Sequence, residues 1–416
     1  MRLRKLVIHR FRNVKPGTTL EFHDEINLVL GRNASGKTTL LNIIAAVTSD
    51  DFSAFEKEPE GYDFEWEFAL GAPGVENGSV CITRFGRSPS QEGDTEAGEP
   101  LWVHALRMEL VVAGESFGVI TSDLASVSFN GRGPPNTRVV LQLLSTEIRP
   151  ARAIRFAFMN QDGAPHVGWN TWYAESRNAK DTLRFDEALA SFDQLVNEPL
   201  TFWGFEGESR IRGVGAVRLH PLVRGDELLD KASFDHFGDG AHPLRTPKSP
   251  KQILDFDTVD ISPLIEERTL LTDGALEIQI KSLRFRFHRG ASSVTQDQLS
   301  FGQKRMFALC QYLAVRRAPY VLDEPANGLH YAWIREMFKQ IEGRQTFIAT
   351  QHPFLLDLVP VVDEASVRKG FIRCEAKADG TMAWRNFDEA ESKRLIEAYD
   401  TGVPQLSEVL LMENLW

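Results

Sequence analysis

The sequence predicts an α/β protein: a strand, glycine loop and helix at the start, a β-rich stretch after them, and a middle region of mixed character. Three observations carry this. A short apolar run, Ile26-Asn27-Leu28-Val29-Leu30, runs straight into a glycine-rich loop and then into a stretch with helical periodicity. The segments that follow, 62–70, 80–85 and 106–112, are rich in β-formers and separated by turn-forming residues. Near the end of the chain, short apolar runs at 320–322 and 346–350 read as buried strands.

The elements follow in chain order. Leu3–Phe11 reads as a strand, and Thr39–Val47 as a helix with Leu40, Leu41, Ile43, Ile44 and Val47 on one face. Gly86–Pro100 is polar and reads as a surface loop, and 153–159 as a further strand. In the middle, 182–197 fits a helix, and 234–251, rich in Gly, Pro, His and Asp, a loop. Leu276–Ile280 and Leu283–Phe287 both alternate strictly and read as two adjacent strands. A helix is expected from Gly302 through Leu313. This divides the chain into 1–160, 161–275 and 276–416, the middle part being the insertion. No repeat of fixed period and no sustained heptads occur.

Bulk properties narrow the class. The chain has 416 residues, 42% hydrophobic and 25% charged, ordinary for a globular protein with a large core. Cys81, Cys310 and Cys374 are isolated and lack metal-ligand spacing. No secretory pattern follows Met1, and no run approaches the ~18 apolar residues of a membrane span. These features predict a cytoplasmic protein with no membrane partner. The net charge of −11 and pI near 5.5 argue against general nucleic-acid binding, which rests on basic surface. A local basic cluster (Arg2, Arg4, Lys5, His9, Arg10 and Arg12) reads as a solvated strand edge or, less simply, as a contact for DNA.

The chemistry begins in Gly31-Arg32-Asn33-Ala34-Ser35-Gly36-Lys37-Thr38, followed by Thr39. Glycines in this pattern let backbone N–H groups curl around a phosphate at a helix N-terminus. Lys37 supplies a cation for the β- and γ-phosphates, and Thr38 a hydroxyl for Mg²⁺. Asp323 and Glu324 close the apolar run Tyr320-Val321-Leu322. Buried without a cation they would be costly, so they are expected to serve Mg²⁺ (Asp323) and the attacking water (Glu324). Ser300, Gly302 and Gln303 open a helix 23 residues ahead of Asp323 (300 to 323), and such an opening is an anion site. His352 ends the next apolar run and is a candidate γ-phosphate contact. The expected cofactors are ATP and Mg²⁺, and the expected activity is ATP hydrolysis, with Glu324, Lys37 and His352 as catalytic groups.

These motifs, in this order, resemble those of ABC-type ATPases, in which Leu299-Ser300-Phe301-Gly302-Gln303 corresponds to the signature segment. The opening Val7-Ile8-His9-Arg10-Phe11-Arg12-Asn13-Val14 resembles the start of RecF, SMC and OLD-type ATPases. Asp323-Glu324-Pro325-Ala326-Asn327-Gly328-Leu329-His330 and Gln351-His352-Pro353-Phe354-Leu355-Leu356-Asp357 are similar to boxes of the OLD/AAA-21 branch, as is the tail 398–416. Ala326, Tyr331 and Gln351 depart from that branch, where Glu, Pro and Thr are common. The resemblance implies an ABC-ATPase head (a phosphate-loop core sheet plus an antiparallel β lobe, with an inserted, mostly helical lid region), a homodimer closed head to tail around two ATP molecules, and a nucleotide contact at Arg12. It implies that a glutamine senses Mg²⁺, Gln161 being preferred over Gln142, and that 327–330 touches the opposite subunit. The Toprim nuclease of full-length OLD proteins has no counterpart after His352. The implied role is therefore to sense or regulate for a separate effector, such as a nuclease, in antiphage defence or DNA maintenance. A RecF-like DNA-binding repair ATPase is the alternative. A transporter subunit fits poorly, with 269 residues (31 to 300) between loop and signature. Trp169, Trp172, Phe202 and Trp203 read as buried aromatics or a contact surface.

Overall fold

The computed structural model describes residues 2–69, 80–94, 100–112, 115–122, 127–129, 242–243, 254–270, 276–315, 319–400 and 405–415. The expectations for 153–159, 182–197 and most of 234–251, and those for Gln142, Gln161 and the aromatics at 169–203, lie outside these residues. The chain divides into two units, 1–182 with 317–324 and 342–416, and 183–316 with 325–341.

The first unit holds two sheets. In the order β2-β1-β4-β5-β6-β7-β8, the larger comprises β1 (Arg2–Phe11), β2 (Thr18–Glu21), β4 (Tyr62–Ala69), β5 (Val80–Asp94), β6 (Pro100–Val112), β7 (Glu115–Ser122) and β8 (Val127–Phe129). All pairs are antiparallel. β4 shows why it is a strand. Tyr62, Phe64, Trp66 and Phe68 are buried, while Asp63, Glu65 and Glu67 alternate on the wetter face. The buried face carries an aromatic cluster in which Phe52 lies 5.0 Å from Phe85 and Phe11 lies 5.2 Å from Phe55.

Sequence and structure differ at 86–100. That stretch is strand as far as Asp94, not a loop, with Gly86 opposite Ala105 and Ser88 opposite Val103. Ladder pairing with β6 overrides the turn-forming composition there. Residues 95–99 lie outside the described set.

The core sheet has the order β13-β14-β3-β15-β16, with β3 (Ile26–Leu30), β13 (Tyr320–Asp323), β14 (Thr346–Ala349), β15 (Phe371–Ala376) and β16 (Met382–Asn386). The first four are mutually parallel and β16 is antiparallel. Parallel strands are covered on both faces, which explains why Leu28, Val29, Phe347, Ile348, Val321 and Leu322 are all fully buried. Helix α1 (Lys37–Ser49) packs on β13 and β14. The register sets Asp323 opposite Ala349 and Ala349 opposite Val29. The residues leaving the ends of β3, β13 and β14 therefore emerge at one edge, where ligands of parallel sheets bind.

The second unit carries β9 (His242–Pro243), β10 (Thr258–Leu270), β11 (Leu276–Arg289) and β12 (Ser292–Thr295), ordered β12-β11-β10-β9. Its helices are α2 (Phe301–Val315) and α3 (Tyr331–Ile341). The two strands expected at 276–280 and 283–287 are one. Leu264 pairs with Ser282 and Ile265 with Ile280, so Lys281 is an extra residue in the ladder. A bulge of one residue flips the alternation, so a single strand carries two alternating patterns. β10 falls within the stretch assigned to the insertion and pairs along the length of β11. Phe307 of α2 packs 4.9 Å from Phe287.

The remaining helices, α4 (Pro353–Leu356), α5 (Glu364–Gly370), α6 (Glu389–Asp400) and α7 (Leu406–Met412), belong to the first unit. The start of α6 is a reciprocal cap: Asp388 N–H donates to Glu391 Oε2 at 3.0 Å, and Glu391 N–H to Asp388 Oδ1 at 2.8 Å. Burial would raise the Glu391 carboxyl. Hydrogen bonds from Arg385 and Asp388, with the charges of Arg385 and Arg373, outweigh it and bring the carboxyl to about 2. The carboxylate form thus stabilises the fold above about pH 4.5, and that contribution is lost as pH falls toward 2. The full shift corresponds to roughly 3 kcal/mol, and solvent screening around half-exposed Arg385 lowers this to about 1–2 kcal/mol. Urea midpoints should fall more steeply from pH 5 to pH 3 in the wild type than in Glu391→Gln. Equal slopes would contradict this assignment.

Candidate functional site

Loop 31–36 joins β3 to α1, and its backbone is one that few side chains tolerate. Gly31 has φ +148°, and a Cβ there would lie 2.3 Å from the Cys374 carbonyl oxygen of β15. Gly36 has φ +88°, and a Cβ there would lie 2.7 Å from Met382 Sδ and 2.9 Å from the Trp384 ring. Ala34 has φ +65°. Trp384, 3% exposed, donates its indole Nε1–H to the Ser35 carbonyl at 3.1 Å. The loop thus rests on the β15–β16 hairpin. That hairpin is tied to the turn after β1 by Met382 N–H to Asn13 O (2.8 Å) and Lys15 N–H to Met382 O (2.9 Å). No motif announces Trp384 or Met382, because they reach the loop across some 350 residues of chain.

Three parts of the sequence meet here. Thr38 Oγ1–H donates to Asp323 Oδ2 at 2.6 Å. Lys37 Nζ donates to the carbonyls of Gly31 (2.8 Å) and Arg32 (3.1 Å). Glu324, with φ +45° and N–H bonded to Ala349 O at 2.8 Å, turns back over the end of β14. Its Oε2 accepts from the Gln351 N–H at 3.3 Å and from the Thr350 hydroxyl at 3.4 Å. A bulky residue held in the left-handed region at the end of a core strand is strained, as functional positions often are. Burial raises the Glu324 carboxyl above its ordinary range, and the Asp323 charge adds to this. Gln351 N–H, Lys37 and Thr350 oppose it. The Gln351 side chain reaches Asn33 Oδ1, with Nε2 at 3.0 Å. His352 N–H donates to Thr350 Oγ1 at 3.0 Å, and His352 Nδ1 is buried without a protein partner.

The residues fit a magnesium nucleotide. The loop backbone leaves no room for side chains at Gly31 and Gly36. Ser35 Oγ is buried without a partner. The helix N-terminus and Lys37 supply positive charge. Thr38 and Asp323 are the oxygen donors that a hard divalent cation takes.

Other expected residues sit differently. The Arg12 guanidinium is bound by Glu58, with Nε at 2.9 Å from Oε2, and lies over the Phe11 ring. Glu58 raises its pKa further. Arg2 and Arg4 reach Asp24 (3.2 and 3.3 Å), His9 reaches Glu65 (3.4 Å), and Arg10 donates to the Arg87 carbonyl (3.1 Å). These partners favour the solvated-edge reading of the basic cluster.

In the second unit, Ser300 and Gln303 form the capping box of α2: Gln303 N–H to Ser300 Oγ at 3.3 Å, and Ser300 N–H to Gln303 Oε1 at 3.0 Å. Gly302 lies so close to Gly328 O and the Trp333 ring that a Cβ would come within 3.0 and 3.2 Å. Phe301, 62% exposed, lies over Gly328, whose φ is +75°. Among the described residues, no group of three or more His, Cys, Asp or Glu side chains could hold a metal, and no helix is long and apolar enough to cross a membrane.

Parallel strands, the loop after β3 and the paired carboxylates at the end of β13, with β14 between the two, define a phosphate-loop nucleotide protein. A family model described as "AAA domain, putative AbiEii toxin, Type IV TA system" matches residues 138–357, more than half of the chain, and the chain belongs to that family. A second model, described as "AAA domain", matches 5–100. The chain is 52% identical over 44 residues to the DNA replication and repair protein RecF of Psychromonas ingrahamii, covering 11% of this chain and 12% of that one. It is 31% identical over 87 residues to RecF of Staphylococcus haemolyticus, covering 20% and 23%. These matches span less than a quarter of the curated relatives' lengths. Among solved structures, the SMC head domain from Thermotoga maritima is 15% identical with a TM-score of 0.35, covering 93% of this chain and 100% of that one. The recombination mediator RecF of the RecFOR pathway is 16% identical with a TM-score of 0.40, covering 93% and 98%. Both are loose likenesses. The chain is an AAA-domain protein that carries short stretches similar to RecF.

Proposed function

We propose that this chain binds ATP with Mg²⁺ and hydrolyses it, two copies closing head to tail so that the Ser300 segment of one completes the site of the other. The observation that carries the hydrolytic site is the 2.6 Å bond from Thr38 to Asp323, which joins the loop to the carboxylate strand, with Glu324 one residue on. Bound Mg²⁺ would draw charge from the β- and γ-phosphates. Thr38 and Asp323 are the residues to hold it, and Asn33, Ala34, Ser35, Gly36 and Thr39 complete the loop. Lys37 exchanges its loop carbonyls for phosphate oxygens. Glu324, held at Oε2, accepts a proton from the attacking water, and His352 is placed to contact the γ-phosphate. Gln161 and Arg12 remain proposed contacts, as does the division into head halves 1–160 and 276–416 around the insertion 161–275.

The cycle would control a separate effector, such as a nuclease, in antiphage defence or DNA maintenance. The family description, with its toxin–antitoxin wording, supports a role beside a partner protein. The RecF matches favour a second reading, a DNA-binding repair ATPase. Weighing against it are the net charge of −11 and the partners of Arg2, Arg4, His9, Arg10 and Arg12. Phosphate release measured with and without duplex DNA, over a range of salt, separates the two. Turnover indifferent to DNA supports the effector reading. Stimulation that fades steeply with salt transfers the case to direct DNA binding.

A further inference from the structure

We propose that Gln351 is a positioning residue that links the phosphate loop to the catalytic carboxylate. The inference rests on the nucleotide-site reading and adds a residue to it. Gln351 uses two N–H donors in two directions. Its backbone N–H holds Glu324 Oε2 at 3.3 Å, and its side-chain Nε2–H holds Asn33 Oδ1 at 3.0 Å. Thr350 before it also donates to Glu324, and His352 after it is fixed to Thr350, so residues 350–352 form one bonded frame. The frame is anchored in the buried core strand β14, whose Ala349 carbonyl accepts the Glu324 N–H.

A shorter side chain cannot span this gap. Threonine at 351 keeps the backbone donor to Glu324 and loses the reach to Asn33. The side chain of Gln351 therefore adds one thing: it fixes the loop at Asn33 relative to Glu324. With Asn33 Oδ1 engaged, the Asn33 amide N–H groups are turned away from Gln351 and free to donate elsewhere. A movement of loop 31–36 on nucleotide binding would be transmitted through this one side chain to the frame that aims Glu324. Small misplacements of reacting groups cost much more in rate than in affinity.

The test uses the full chain. Substituting Gln351 leaves every backbone donor, Lys37, Thr38 and Asp323 in place. Gln351→Ala and Gln351→Thr should lower kcat about tenfold, with Kd for Mg²⁺-ATPγS within about threefold of wild type. In an Asn33→Ala background, Gln351→Ala should lower kcat no further, since the link is already absent. Thermal midpoints, measured alongside, show whether each variant is folded. Three results would overturn the link: kcat for Gln351→Ala within about twofold of wild type, independent multiplication of the two effects, or a drop in affinity as large as the drop in rate. The underlying site reading fails separately, if Glu324→Gln turns over ATP like the wild type.

Discussion

Glu324→Gln is expected to bind Mg²⁺-ATP and to hydrolyse it at least about 100-fold more slowly than wild type. The amide keeps the shape of the side chain and can still accept at its oxygen from Gln351 N–H and Thr350. It cannot take a proton from water at neutral pH. The consequence for assembly follows. If hydrolysis opens two heads, the variant should accumulate as a closed, ATP-loaded dimer, visible as a doubled mass in light scattering only when Mg²⁺-ATP is present. A variant that turns over normally removes Glu324 from the catalytic role. A variant that stalls but stays monomeric with ATP bound keeps the catalytic role and removes the head-to-tail pair.

Lys37→Ala acts one step earlier. The ammonium donates to two loop carbonyls, at Gly31 and Arg32, so it also closes the loop on itself. Its removal takes away the cation between the phosphates and a tie within the loop. Nucleotide affinity should fall by about 100-fold or more, roughly 2.7 kcal/mol, and turnover at ordinary ATP concentrations should vanish. Calorimetric titration of the folded variant with Mg²⁺-ATPγS checks this. Unchanged affinity would show that loop 31–38 does not hold the phosphates.

Much of this site was legible in the sequence because its chemistry is local. The apolar run of β3, the glycines at 31 and 36, and Lys37-Thr38 are consecutive. Asp323 and Glu324 sit directly at the end of an apolar strand. The alternation 62–69 wrote β4 into the chain. What escaped depends on partners distant in sequence. Trp384 and Met382 support the loop from the other end of the chain. Gln351 stood out only as a departure from a family box, and its reach to Asn33 needed the register of β14 against β3. Lys281 broke the alternation of one strand because a bulge shifts side chains to the other face. Gly86–Asp94 looked like a loop because its turn-forming residues conceal a ladder partner. Ser300 and Gln303 were legible in two ways at once. The S-x-x-Q spacing is both a capping box and an anion-binding helix start, and the hydrogen bonds show the capping box.

Mg²⁺-dependent release of phosphate from ATP by the full chain, measured beside Lys37→Ala and Glu324→Gln purified in the same way, is the most direct test of the hydrolytic site. Steady release by the wild type, absent in both variants and abolished by chelating the metal, is the expected result. Release no greater than that of the variants, or release indifferent to the metal, would contradict the assignment of Gly31–Thr38, Asp323 and Glu324 as a hydrolytic site.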